Sequence, residues 1–101
     1  MKTVSYKTSL NRRLADRRYA AGYLSACLAQ GRAEFLLGLR DVVDAHGGIG
    51  KLAERSGLHR VSLYRLLSKK GNPSIDSVIE ILAALGIELR FYPLKNRSKA
   101  A

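Results

Sequence analysis

A run of hydrogen-bond donors between Gly57 and Gly71 is the part of this sequence best suited to chemistry with another molecule. Arginine stands at positions 60 and 65, with a histidine, a valine and a serine close by. An arginine can donate two hydrogen bonds to O6 and N7 of guanine, a serine can donate to a base edge or a phosphate, and a valine can touch a thymine methyl. These residue types favour the reading of DNA bases. The candidate base contacts are His59, Arg60, Val61, Ser62 and Arg65.

A second group of polar side chains surrounds the first and suits contact with phosphates, which position a protein on DNA without reading its sequence. The candidate phosphate contacts are Lys51, Arg55, Tyr64, Lys69, Lys70 and Asn72. From residue 47 to residue 74 only Glu54 opposes the positive charge. The alternative interpretation is a solvated basic face, which is common, and Tyr64 is equally suited to packing.

The sequence has few residues that could form a catalytic site or a metal site. Cys27 is the only cysteine, it lies on an apolar stripe, and no base is placed by the sequence to activate it, so we expect a core thiol rather than a nucleophile. The two histidines, His46 and His59, lack the cysteines or clustered carboxylates of a metal site. We therefore expect no catalysis, no metal and no cofactor. His46 is expected to close its helix, where a cation is favoured.

Length and charge limit the class of protein. The 101 residues suit one small domain, and the formal net charge of +10, from 18 Lys and Arg against 8 Asp and Glu, favours a polyanionic partner, nucleic acid first. A basic cluster at Arg12, Arg13, Arg17 and Arg18 would follow DNA phosphates, meet an acidic partner or simply be solvated. The single cysteine and the absence of a long apolar run predict a cytoplasmic protein with no membrane segment.

Apolar residues at helical spacing predict the elements that hold the donors in place. Helices are predicted over 17–30, 32–46, 49–56, 60–68 and 75–85. Asp16 is the predicted N-cap of the first of them, and Ser74 or Asp76 that of the last. The last helix is expected to carry its apolar residues on one stripe, namely Val78, Ile79, Leu82, Ala83 and Leu85.

The two ends of the chain are predicted to differ from this helical domain, 16–92. Residues 1–15 are interpreted as a basic arm and not as a packed element, and residues 93–101 as a basic, flexible tail. The stretch "IELRFY", 87–92, alternates apolar and polar residues and predicts a short strand. A lone strand needs a partner for its edge. That partner would be "KTVSY" near the start of the chain or the same strand of a second subunit. A C₂ homodimer is expected, because DNA operators are usually palindromic and their half-sites are spaced by about one helical turn.

The stretch between Gly47 and Ser74 has the spacing of a helix-turn-helix, in which two short helices cross through a tight turn. Ala53 allows the close crossing and Gly57 supplies the positive φ that the turn requires. Leu58 is expected to fill the core beneath the turn. Leucines at 63, 66 and 67 would pack one side of the second helix against the core. Its cationic side would then be free to enter a major groove. An ordinary helical hairpin is the alternative.

From Asp16 to about Tyr92 the sequence resembles the HigA-like addiction module antidotes, which are antitoxins with a phage-repressor-like (XRE/Cro-type) helix-turn-helix. The resemblance is carried by "YL", "LRDVVDAHGG", "LAERSGLHRVSLYRLLS", "GNPS" and "ILAALGIEL". It implies an all-α, five- to six-helix bundle of the lambda-repressor type, with the short C-terminal strand. It also implies base contacts at the five positions from 59 to 65 given above. His59 stands where the family usually has a serine that caps the recognition helix, and histidine is the poorer cap.

The same resemblance implies that the protein represses its own operon by binding operator DNA and neutralises a RelE/HigB-like ribonuclease toxin. Two alternatives stay open. One is a phage-type transcriptional regulator without a toxin, and the other is a protein-interaction module whose DNA binding is vestigial. A neighbouring gene for a small ribonuclease-like protein would favour the antitoxin.

Overall fold

Short connections link the helices that make up this protein. The computed structural model describes residues 5–95, and over that range it contains six α-helices and no strand. They are α1 (Tyr6–Leu14), α2 (Arg17–Gln30), α3 (Arg32–Ala45), α4 (Gly48–Ser56), α5 (Arg60–Leu66) and α6 (Ile75–Ala84). The predicted all-α class is confirmed. None of these helices is long and apolar enough to cross a bilayer.

Helices α3 and α4 each contact three other helices and so connect the bundle. α3 contacts α1, α2 and α4, and α4 contacts α3, α5 and α6. The side chains that meet between them are almost all aliphatic, and no charged side chain is buried among the described residues. The fully buried larger side chains are Leu14, Leu39, Leu63, Leu67, Ile81, Val42 and Val43. Burial of a leucine is worth roughly 1.5–3 kcal/mol, so this aliphatic core is the main source of stability.

The segment before Asp16 forms a packed helix, which the sequence pattern did not predict. Ser5 caps α1 by accepting a hydrogen bond from the amide of Thr8, and Leu10 and Leu14 are buried in the core. The interpretation of this segment as an unpacked arm is therefore wrong for its described residues. Two leucines four residues apart lie on one face of a helix. The surrounding residues are mostly polar, so this short apolar pattern was too weak to predict the helix. Residues 1–4 lie outside the described part.

The predicted C-terminal strand is also wrong. Residues 87–94 are irregular, and the part of the chain between 5 and 95 offers this segment no strand to pair with. The first proposed partner, "KTVSY", ends in Ser5 and Tyr6, which form the cap and the first turn of α1. A period of two shows which side chains share a face, but a strand also needs a second strand to complete its hydrogen bonds. The predicted tail lies outside the described residues from 96 onward.

The buried stripe of α6 is rotated from its predicted position. Val78, Leu82 and Leu85 are buried as expected, and Ile81 is completely buried beside them. Ile79 is instead 47% exposed, and Ala83 is exposed as well. The cause is that the sequence "VIEILAALGI" has apolar residues on more than one side of the helix, so its pattern alone did not select the inner side.

Asp41 joins three helices at the edge of the core. Its Oδ2 accepts a hydrogen bond from the hydroxyl of Tyr23 on α2 at 2.8 Å, and its Oδ1 lies 3.3 Å from Nζ of Lys7 on α1. Lys7 also pairs with Asp44 at 3.2 Å, so one ammonium links α1 to two turns of α3. At the end of α3, His46 is the C-cap as predicted, and its Nε2 lies 2.9 Å from the carbonyl oxygen of Leu14.

A glycine is required at position 71, because the loop after α5 passes very close to the backbone of Leu66. A β-carbon at this position would clash with the backbone carbonyl of Leu66. The amide of Gly71 donates to the carbonyl of Ser68 at 2.9 Å, and its carbonyl accepts from Nη2 of Arg32 at 2.8 Å. Gly71 is buried and therefore fixes the loop that leads from α5 to α6.

Tyr23→Phe is expected to lower the free energy of unfolding by about 1 kcal/mol, because a partly buried carboxylate oxygen of Asp41 loses its donor. Burial, together with the hydrogen bond to Asp41, raises the pKa of the Tyr23 hydroxyl above its usual range. The contribution of this bond to stability is therefore fully present below the unfolded tyrosine pKa of about 10 and declines as the pH rises from there through the higher pKa of the folded state. Urea denaturation at neutral and alkaline pH measures both effects. Tyr19→Phe, at an exposed position of the same helix, is the control and should change little.

Gly71→Ala is expected to destabilise the fold by about 1–3 kcal/mol, because the new methyl group overlaps backbone atoms that cannot move aside cheaply. The matched control is Gly22→Ala within α2, where a β-carbon would meet nothing within 4 Å. That change should be neutral or stabilise by up to about 1 kcal/mol, as alanine does inside a helix. Thermal unfolding followed by circular dichroism compares the two variants. Equal stability of the two would contradict the role assigned to Gly71.

Candidate nucleic-acid interface

Helices α4 and α5 are joined by the three residues from Gly57 to His59. Gly57 has φ +75°, as the sequence predicted, and its amide donates to the carbonyl of Ala53 at 3.0 Å. The amide of Leu58 donates to Oγ of Ser56 at 3.1 Å, and its side chain packs against the core. A non-glycine residue rarely adopts such a φ, so the sharp turn depends on Gly57.

Two leucines determine which side of α5 faces solvent. Leu63 and Leu67 are buried, whereas Leu66, which was also predicted to be buried, is only half-buried at the edge of the stripe. Since residues on a helix follow each other at about 100°, Val61 and Arg65 point away from the core, and both are exposed. His59 is the N-cap of α5 but makes no side-chain capping bond, as its residue type predicted.

All eleven predicted contact residues lie on α4, on α5 or in the loops next to them, and ten of the eleven are exposed. The exception among the base contacts is Ser62, which is half-buried. Val61 is 67% exposed and Tyr64 is 60% exposed, so both side chains are accessible to another molecule. We call the exposed cations Lys51, Arg55, Arg60, Arg65, Lys69 and Lys70 the α4–α5 basic surface.

The amino end of α4 brings two of these cations together. Gly47 is the N-cap and provides no side-chain cap, so the first amides of α4 are not capped by a side chain. Lys51 lies in the following turn. Nη2 of Arg60 lies 3.1 Å from the position of a β-carbon at Gly50, so this guanidinium rests against the first turn of α4. Free amides, the helix dipole and two cations make this corner attractive to an anion.

Two further arginines belong to the same side of the molecule and were not selected from the sequence. Arg32 and Arg40, on α3, line a cleft of about 330 Å³ together with Ser68 and Lys69. Nη2 of Arg32 also donates to Oδ1 of Asn72 at 2.7 Å, so this predicted phosphate contact is already engaged through its carbonyl oxygen. These neighbours are distant in sequence, and only the fold brings α3 against the loop after α5.

Other chemistry is not favoured by the geometry. Burial, and then the charge of Asp41, raises the pKa of the Cys27 thiol, which disfavours the reactive thiolate. The sulfur instead fills space between α2 and α3, where a β-carbon at Gly38 would come within 2.6 Å of it. Among residues 5–95, no three His, Cys, Asp or Glu side chains cluster as metal ligands would.

Comparison with known proteins defines the class. A sequence profile described as "Probable addiction module antidote protein" matches residues 5–93, and the chain therefore belongs to this family of addiction module antidotes. A protein of Haemophilus influenzae, named only as uncharacterized, is 30% identical over 69 residues, which cover 67% of this chain and 70% of that protein. No solved structure matches. The resemblance to addiction module antidotes is thus confirmed at the level of the family, and membership suggests the role of an antitoxin.

Proposed function

We propose that this chain is the antitoxin of a HigA-like toxin–antitoxin module and a sequence-specific repressor of its own operon. In this proposal, α4 and α5 form a phage-repressor-like helix-turn-helix, and α5 enters the major groove of operator DNA. The protein also neutralises a RelE/HigB-like ribonuclease toxin. It has no enzymatic activity of its own and needs no cofactor. It works in the cytoplasm and is associated with the nucleoid when bound to DNA.

The DNA-binding part of the proposal rests on the exposure of the α4–α5 basic surface. Within it, Leu63 and Leu67 fix the inner side of α5 and leave Arg60 and Arg65 exposed. His59, Arg60, Val61, Ser62 and Arg65 are the proposed base contacts. Such residues supply donors for base edges and an apolar contact for a thymine methyl. Only Glu54 opposes this charge between residues 47 and 74, and none of these cations forms an ion pair among the described residues.

The proposed phosphate contacts lie around this helix. They are Lys51, Arg55, Tyr64, Lys69, Lys70 and the amide nitrogen of Asn72, to which we add Arg32 and Arg40. The added arginines extend the basic surface from the α5 loop onto α3. The amino end of α4 provides backbone donors beside Lys51, an arrangement that favours a phosphate.

We further propose that the protein binds its operator as a C₂ homodimer. Operators with two half-sites spaced by about one helical turn, roughly 34–36 Å, require two recognition helices. A second subunit is supported by the exposed aromatic side chains that follow α6, of which Phe91 is 91% exposed and Tyr92 is 81% exposed. Contact with the same side chains of a partner would remove this apolar surface from water.

Arg65→Ala is expected to weaken binding to the DNA upstream of the gene by about 1–3 kcal/mol and to relax specificity at one base pair, because a base contact is lost. Fluorescence anisotropy on upstream and scrambled duplexes measures both quantities. Arg12→Ala removes the same charge from an exposed position on α1 and is the control. Absence of salt-sensitive binding by the unchanged protein would refute the DNA-binding role. If inhibition of the toxin survives Arg65→Ala, the two roles are separable.

Lys51→Ala is expected to weaken binding by a similar factor on upstream and scrambled duplexes, because a phosphate contact carries no sequence information. It should also reduce the slope of log affinity against log salt by about 1. Lys7→Ala is the control, because the Lys7 ammonium is already paired with Asp41 and Asp44 on α3. A change of sequence preference in Lys51→Ala would contradict this assignment.

A further inference from the structure

One stretch of this strongly basic protein carries no positive charge. Residues 71–89 contain three acidic residues, Asp76, Glu80 and Glu88, and no lysine or arginine, although the whole chain has 18 Lys and Arg. Two of the three lie on α6, which has no basic residue along its length. A surface of this sign repels DNA phosphates and attracts a cationic partner.

The exposed face of α6 combines those carboxylates with apolar side chains. Ile75 is 62% exposed, Ile79 is 47% exposed, and Ala83 is exposed one turn further along. At about 100° per residue, Asp76 and Glu80 lie directly beside this stripe, and both are exposed. Neither carboxylate forms an ion pair among the described residues. We call these five residues the α6 acidic–apolar face.

The fold leaves this face uncovered. α4 is the only helix within residues 5–95 that packs against α6, and it covers the opposite side, where Val78, Ile81 and Leu82 are buried. α5 contacts α4 but does not contact α6. The α6 acidic–apolar face is therefore available when α5 is occupied.

We propose that the α6 acidic–apolar face is the docking surface for a basic partner protein and that this partner is the ribonuclease toxin; the identity of the partner rests on the proposed antitoxin role. A ribonuclease must attract a polyanion, so its RNA-binding surface is cationic. Asp76 and Glu80 meet that surface in place of RNA phosphates. Ile75 and Ile79 provide the apolar contact that a stable interface needs at its centre.

Charge favours the basic toxin over a second copy of the chain as the partner of the α6 acidic–apolar face. Symmetric contact through α6 would place Asp76 and Glu80 of one copy against the same carboxylates of the other, and like charges across an interface are costly. A basic partner instead pairs each carboxylate. The two partners of the antitoxin thus meet surfaces of opposite sign, the α4–α5 basic surface for DNA and the α6 acidic–apolar face for the toxin.

Glu80→Lys in the full-length chain tests this assignment, with Glu54→Lys as the matched control. Both glutamates are exposed on helices, neither forms an ion pair among the described residues, and the two substitutions change the net charge equally. The probe is the product of the open reading frame adjacent to the gene, carrying a substitution that inactivates its nuclease. We expect Glu80→Lys to weaken the complex at least about tenfold in isothermal titration calorimetry, while Glu54→Lys leaves the affinity within about twofold.

The possible results separate this inference from the proposed function. No binding of the probe by the unchanged protein overturns the antitoxin role and this inference together. Binding that Glu80→Lys and Glu54→Lys weaken equally, or not at all, overturns the α6 assignment alone. A Glu80→Lys variant that becomes monomeric in sedimentation, starting from a dimeric parent, assigns α6 to a second copy and also overturns it. Ile75→Ala with Ile79→Ala should weaken the complex without changing the charge.

Discussion

The burial of Leu63 and Leu67 determines how the basic side of α5 is presented to solvent. α5 has only seven residues, which is far too short to be stable alone in water, since isolated helices of fewer than about 12 residues are marginal. Its orientation is therefore set by what its two leucines contact and by the turn at Gly57. Once these are fixed, Val61 and Arg65 have no position except on the outer side.

The loops at both ends of α5 maintain this orientation. At its start, Gly57 bends the chain within three residues and Leu58 fills the space beneath it. At its end, the carbonyl of Gly71 accepts a hydrogen bond from Arg32, which belongs to α3. The basic surface thus rests on the central helix of the bundle. This surface and the carboxylates of α6 give the molecule two surfaces of opposite charge, which the proposed DNA and toxin contacts would use separately.

The sequence predicted the elements whose signals are local. Asp16 caps α2, Ser74 caps α6, and Gly57 has the φ that the turn requires. The α1 helix was missed because only two buried leucines mark its inner side. The predicted strand failed for a different reason, since alternation is local whereas pairing is not.

Parts of the surface could be recognised only in three dimensions. The inner side of α6 was ambiguous because its apolar residues surround the helix, and the exposure of Ile79 became visible only when Ile81 was found in the core. Arg32 and Arg40 join the basic surface because α3 packs beside the loop after α5, a contact between residues about forty positions apart in the case of Arg32 and Asn72.

Amide chemical shifts of the ¹⁵N-labelled protein, followed during titration with a duplex from the upstream region, would show whether α5 is the DNA-binding helix. We expect the largest changes on α5, on the first turn of α4 and on the loop around Lys69 and Lys70, and no change on the outer face of α6. Changes concentrated on α6, or none on α5 while the duplex binds, would contradict this expectation.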